Sequence, residues 1–258
     1  MAKIKQRSNQ WYGWRPDLPD KRDHVFKPTV MRLPTSIDLR STMPAVYDQG
    51  QLGSCTANAI GGAVEYARIK QKLSVFVPSR LFIYYQERVM EGTVSQDAGA
   101  EIRDGIKAVH KAGAPDEKLW PYKISKFATK PSATAYAAAL KNLVSSYARV
   151  DTASGVTIAA IKGALASKYP VVFGFTVYES FESDIVAETG TVPMPSKGEQ
   201  VLGGHAVLAV GYNDSKKRLL VRNSWGTGWG MAGYFTMPYA YVTDSNLASD
   251  FWTVKLVA

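Results

Sequence analysis

Three side chains in this 258-residue sequence have the chemistry and the placement for covalent catalysis: Cys55, the only cysteine, together with His205 and Asn223. A thiolate is a strong nucleophile, an imidazole can carry a proton to and from the reacting atoms, and an amide carbonyl can fix that imidazole's tautomer and orientation. Taken singly, each has a plainer reading: a small buried thiol, a structural histidine at a strand end, an asparagine near a turn. The combination depends on the elements that carry them. A single cysteine also excludes an intrachain disulfide and a multi-cysteine zinc or iron–sulfur centre, so no metal and no cofactor is expected.

Ala57, Ile60, Val64 and Ala67 recur at three- and four-residue spacing, which predicts a helix starting after Ser54, with Ser54 as its cap. Cys55 then stands in the first turn, where free backbone N–H groups favour thiolate over thiol and a nearby protonated histidine would favour it further. Residues 206–212 and 218–222 are strand-like and flank Asn213-Asp214-Ser215-Lys216-Lys217, a strong turn signal. The midpoint of positions 205 and 223 falls inside that turn. An antiparallel hairpin would therefore set His205 opposite Asn223, roughly 5 Å apart between Cβ atoms, and a one-residue slip would turn one of them away.

Further helical patterns cover residues 80–90, 101–112, 133–147 and 157–167, and strand patterns cover 171–177, 233–237 and 251–257. The fold class is α+β without βαβ alternation: a mainly helical part over about 50–150, a β-rich part over about 151–258, and a cleft between them as the natural place for a site. The composition, 46% hydrophobic and 21% charged, suits a globular chain and no apolar run has membrane-spanning or signal-peptide length. The expectation is a monomer made in the cytoplasm, with no membrane partner and with later export left open.

Residues 1–32 hold eight Lys/Arg against three Asp/Glu, more than half of the net charge of +9. A solvated strap on a near-neutral domain is a better reading of this tail than a nucleic-acid contact. The segment combines prolines with an aromatic cluster, Trp11, Tyr12 and Trp14, which needs an apolar surface to sit on.

These features resemble the papain-like cysteine peptidases. Gln49-Gly50-Gln51-Leu52-Gly53-Ser54-Cys55 is similar to that family's stretch from the oxyanion-hole glutamine to the nucleophile. Gly204-His205-Ala206-Val207 and Asn223-Ser224-Trp225-Gly226-Thr227-Gly228-Trp229-Gly230 match its histidine strand and its Asn-Ser-Trp-Gly signature. Leu33-Pro34, Asp38-Leu39-Arg40 and Trp120-Pro121-Tyr122 add weaker matches, so the resemblance covers about residues 33–258.

The resemblance implies a papain-like fold with a β-rich, barrel-like C-terminal subdomain, a polypeptide substrate, and an acyl-enzyme on Cys55. It gives His205 the proton transfers, Asn223 the orienting of His205, and Gln49 with the Cys55 N–H the oxyanion. It also implies that Gly53, Ser54, Gly99, Gly174, Gly204 and Trp225 line or support the substrate site, with Trp225 covering the His205–Asn223 pair. Gly174 and Gly204 would lie near a roomy pocket for the second residue before the cut. Leu52, Thr56 and Gly204 depart from the family's usual cysteine, aromatic and aspartate.

The resemblance points to an endopeptidase. An exopeptidase or transpeptidase on the same site, or a catalytically weak binding module on the scaffold, are the alternatives. Residues 1–32 are shorter than the family's helical pro-segment. They are expected either to lie across the cleft and limit access, as a short pro-segment would, or to pack away from it.

Overall fold

A helix rich in small residues, α1 (Cys55–Lys70), runs through the middle of the molecule and is buried over nearly its whole length. Ala57, Ala59, Ala63 and Ala67 have no bulk to hold neighbours away, and Gly62 lets Leu208 and Arg222 come against the helix backbone. The structure, a computed structural model, describes residues 12–20, 22–27, 32–151 and 156–257. The other helices are α2 (Arg80–Glu91), α3 (Ile102–Lys111), α4 (Ala133–Ala139), α5 (Ile158–Ala166), α6 (Asp184–Thr189) and α7 (Tyr239–Thr243). Among the described residues no helix is long and apolar enough to cross a membrane.

The strands are β1 (Trp14–Arg15), β2 (Ser36–Asp38), β3 (Ala100–Glu101), β4 (Val144–Arg149), β5 (Val171–Tyr178), β6 (Val201–Asn213), β7 (Arg218–Arg222), β8 (Tyr234–Pro238) and β9 (Ala248–Val257). Seven of them form one sheet in the order β4-β9-β5-β6-β7-β8, with β2 added to β6, and β1 pairs with β3 in parallel. Phe173, Phe175, Phe235, Phe251 and Trp252 fill the core on this sheet. The α+β class and the papain-like architecture expected from the sequence are present.

The expected barrel is not: the sheet stays open, because both of its edges are covered by irregular chain. His24 O and Phe26 N bond Arg149 on the β4 edge (2.7 and 2.6 Å), and Gly190 O and Val192 N bond Thr236 on the β8 edge (2.7 and 3.0 Å). Edges covered in this way need no closure to escape exposure.

Two local expectations also change. The helix read over 133–147 ends at Ala139, and Val144–Arg149 becomes a strand because β9 offers its residues a buried partner, from Val257 to Trp252. The hairpin forms, but its ladder pairs Leu208 with Arg222, and one step further would set Val207, not His205, opposite Asn223. The offset of two keeps His205 on the same face, within diagonal reach.

Arg88 on α2 fixes the loop that leads to Gly99. It is fully buried, and its guanidinium donates to the carbonyls of Val94 (2.7 Å), Gln96 (3.1 Å) and Phe127 (2.5 Å). Replacing it, as in Arg88→Met, leaves these carbonyls without their donor. The expected loss is about 3 kcal/mol of unfolding free energy or more, measured by denaturant titration.

Candidate active site

Cys55 opens α1 and is fully buried. Ser54 precedes it, but its hydroxyl does not cap the helix as expected. It pairs with the Tyr122 hydroxyl (2.6 Å) and accepts from Asn58 Nδ2 (3.1 Å), below the site. Burial pushes the Cys55 thiol up to about 11, although the backbone N–H groups of Ala206, Gly13 and Thr56 act in the opposite direction; the buried Glu87 adds to the rise. The thiolate expected at a helix N-terminus is therefore not the resting form in this arrangement. Glu87 is itself pushed up to about 8 by burial and accepts the Thr56 hydroxyl (2.9 Å).

His205 stands on β6 beside Phe175 of β5, and its Nε2 meets Asn223 Oδ1 at 2.9 Å, inside the protein. The Asn223 carbonyl also accepts from Ser224 N (2.8 Å), which holds the amide plane. Trp225 lies over the imidazole at 5.0 Å between ring centres, and Phe181 and Trp229 back it at 5.5 and 5.2 Å. This aromatic wall keeps water from the His205–Asn223 hydrogen bond, where low polarity strengthens it.

Gln49 is fully buried. Its Oε1 accepts from Ser224 Oγ (2.6 Å) and its Nε2 donates to Leu52 O (2.9 Å), so the amide is held with its N–H₂ end toward the nucleophile loop. Tyr122 donates to Gln49 O (2.9 Å). Asp97 accepts from Gly53 N (3.0 Å), and Tyr84 links Asp97 to Gly99 by donating to the first and accepting from the N–H of the second (3.1 Å). Gly53 and Gly99 are thus tied to one network. Sequence reading did not find Asp97, Tyr84 or Glu87, which have no motif of their own.

The N-terminal segment passes directly over these groups. Tyr12 stands edge-on to His205 at 6.0 Å between ring centres, 6.2 Å from Trp225, and donates to Glu182. Gly13 lies between Gly53 and Gly99, where a Cβ on Gly13 would run into Gly53 O and a Cβ on Gly99 into Gly13 O, and Gly13 O accepts from Ala100 N (2.7 Å). Trp14 is 7% exposed; its indole covers the Cβ positions of Gly174 and Gly204 and donates to Asp250 (3.1 Å). Arg15 pairs with Glu91. Of the two placements open to the extension, the described residues take the one across the site; Trp11 lies outside the described residues.

Comparison with known proteins accords with this geometry. Residues 33–253 match the family model described as papain family cysteine protease. The chain belongs to the papain family. A curated relative, an uncharacterized peptidase C1-like protein of Acanthamoeba polyphaga mimivirus, is 48% identical over 95% of this chain and 87% of its own length. Cysteine proteinase 3 of Entamoeba histolytica is 29% identical over 91% of this chain and 70% of its own. Among solved structures, xylellain, a cysteine protease from Xylella fastidiosa, superposes with a TM-score of 0.90 at 42% identity over 99% of both chains. This papain-family peptidase therefore acts on polypeptides. Among the described residues no group of three or more acidic, His or Cys side chains is arranged to hold a metal.

Since Cys55 is the only thiol, alkylation reports on it alone. With the thiol at about 11, iodoacetamide incorporation by the native chain at neutral pH is expected to be slow beside the unfolded chain and to climb as the pH approaches that value. Gly13→Ala, whose methyl has no room against Gly53 O, should speed labelling at neutral pH by displacing the segment above the thiol. Equal rates for the two folded proteins would contradict this account of Cys55. Intact mass spectrometry reads the outcome.

Proposed function

We propose that this peptidase is an endopeptidase held latent by its own residues 12–17. In the working enzyme Cys55 attacks a peptide carbonyl. His205 takes the thiol proton and delivers it to the leaving amine, and then activates the water that cleaves the acyl-enzyme. Asn223 orients His205 and Trp225 shields their contact. The Gln49 side-chain N–H₂ and the Cys55 backbone N–H hold the oxyanion, each worth up to about 4 kcal/mol in the transition state. Gly99 offers main-chain pairing to the extended substrate, Gly53 and Ser54 support the nucleophile loop, and Gly174 with Gly204 bounds the pocket for the second residue before the cut.

The observation that carries the latency is the direction of the strap at Gly13. Its N–H faces the Cys55 sulfur, while its carbonyl is turned to Ala100 N. A nucleophile needs a carbonyl carbon in reach, so a strap bound in this sense occupies the site without being a substrate. The endopeptidase reading is favoured over an exopeptidase by the other histidines. His24 sits at the β4 edge, and His110 is turned to Val144 O (2.7 Å) and Tyr147, so neither is placed to bind a chain terminus beside Cys55.

In the experiment, internally quenched peptides and a thiol-directed peptidyl epoxide are offered to the full chain, to Trp14→Ala and to Cys55→Ala. Expected are weak turnover and slow labelling in the unaltered chain, an increase of about tenfold or more in Trp14→Ala, and neither in Cys55→Ala. Turnover that survives Cys55→Ala would overturn the catalytic assignment, and identical rates with and without Trp14 would overturn the latency.

The strap also carries a pH dependence of known sign. Asp17 is pushed up to about 7 by burial and by the facing Asp250, against an ordinary 3.8. Asp23, Asp151, Arg103 and Arg149 complete the charged groups around it. A group whose value is raised on docking contributes fully below its free value and loses that contribution as pH rises through the docked one. Docking should therefore weaken between about pH 4 and pH 7, and the advantage of Trp14→Ala over the unaltered chain should shrink over that range. Asp17→Asn, neutral throughout, should flatten the dependence, which the ratio of the two turnover rates against pH checks.

A further inference from the structure

The floor of the pocket that Trp14 fills is made by a residue in an unusual backbone state. Asp250 lies within β9 yet has φ of +61°, in the left-handed region that few non-glycine residues occupy. The cause is a bulge: β9 pairs Trp252 with Val172 and Ser249 with Gly174, so Asp250 and Phe251 together stand opposite the single residue Phe173. Bulges re-aim side chains, and strain of this kind persists where the surroundings over-determine it. Here the carboxylate is turned to the strap, 1% exposed. Its Oδ2 accepts from Trp14 Nε1 (3.1 Å) and from Asp17 N (2.8 Å), and its Oδ1 from Arg149 (3.2 Å).

We propose that Asp250 is the specificity-determining residue of this peptidase and that the pocket selects tryptophan as the second residue before the scissile bond. The proposal rests on the catalytic reading above. Gly13 is the strap residue at Cys55, so Trp14, one residue along, occupies the place of a substrate side chain once removed from the carbonyl under attack. Two walls without Cβ atoms, Gly174 and Gly204, make a flat slot wide enough for a bicyclic ring. When the strap leaves, Oδ2 loses both N–H donors at once, whereas Oδ1 keeps Arg149. A buried carboxylate oxygen without a donor is costly, so the substrate side chain that fits is one that ends in N–H.

Charge distinguishes indole from the basic side chains. On the body of the protein Arg149 is already paired with Asp151 through Nε at 2.9 Å, and Arg103 stands close by, over the Trp252 ring that Arg149 also faces. Asp17, which faces Arg149 in the docked form, departs with the strap. The vacated floor therefore keeps two arginines beside Asp250, with Asp23 and Asp151 already paired to them. A third cation would enter beside two others, but an indole brings a donor without charge.

The test uses full-length Trp14→Ala and peptides identical except for Trp, Phe, Leu or Arg at that position. Ratios between peptides do not depend on how far the rest of the strap still competes. The expected kcat/KM for Trp exceeds that for Phe by about tenfold or more, as for a hydrogen bond to a charged group, and exceeds that for Arg. Asp250→Gly, which accepts the positive φ while removing the carboxylate, should bring the Trp-to-Phe ratio down to about one. Should that variant not fold, Asp250→Asn, which also tolerates this backbone, should reduce the Trp-to-Phe ratio.

Equal rates for Trp and Phe, a preference that survives loss of the carboxylate, or Arg above Trp would each overturn the proposal. Binding of the same peptides to full-length Trp14→Ala with Cys55→Ala, followed by calorimetry, separates it from the catalytic reading. Selective binding of Trp without turnover in the thiol-bearing protein sinks the catalysis and keeps the pocket. Turnover without selectivity does the reverse.

Discussion

The hydrogen bond between His205 and Asn223, 2.9 Å long and closed off from solvent, joins β6 to the chain just beyond β7 and sets where every other group of the proposed site must stand. An imidazole with one nitrogen committed to an amide carbonyl has one nitrogen left for proton transfer, so its ring plane decides where a nucleophile is useful. α1 brings Cys55 to that place because its alanines and glycines let it lie against β6, close enough for Ala206 N–H to face the sulfur. The rings of Trp225, Trp229, Phe175 and Phe181 keep the contact dry. Gln49 is drawn in through Ser224, the residue after Asn223, so the proposed oxyanion donor and the proposed orienting amide are tied by one chain segment.

Much of this was legible in the sequence because it is local. The helix after Ser54 follows from apolar spacing, and the hairpin follows from a turn signal between two short apolar runs. The Asn223-to-Gly230 run carries enough glycine and tryptophan to point to one family. What the sequence could not convey came from contacts between distant segments. The hairpin register starts offset by three, since Asn213 pairs with Arg218, and a bulge at Val210, where β6 also pairs with β5 and β2, takes it back to two. Residues 144–149 abandon a helical pattern because β9, more than a hundred residues later, offers them an edge. The sheet stays open for the same kind of reason, since chain from residues 24–26 and 190–192 covers its ends.

A helix N-terminus favours a thiolate locally, but at Cys55 burial, to which a segment forty residues upstream contributes, outweighs it. Asp250 leaves only a trace in the sequence. An aspartate inside an apolar strand, next to Phe251 and Trp252, is an unfavourable choice for the strand itself. The bulge that turns it and the indole that it meets both depend on segments far away in the chain. Tyr12 and Trp14 read in the sequence as aromatics that need a surface, and the surface they take is made by His205, Trp225, Gly174 and Gly204.

The strap is joined to the domain that it covers, so its docking is an intramolecular event. Its local concentration at the site is set by the length of the connecting chain, in the millimolar range for a short tether, and does not change when the protein is diluted. A substrate or inhibitor arriving from solution competes with a ligand that never leaves the neighbourhood. A single cut between the strap and Leu33 would alter no contact in the site, yet it would turn the same interaction into a bimolecular one that dilution can undo.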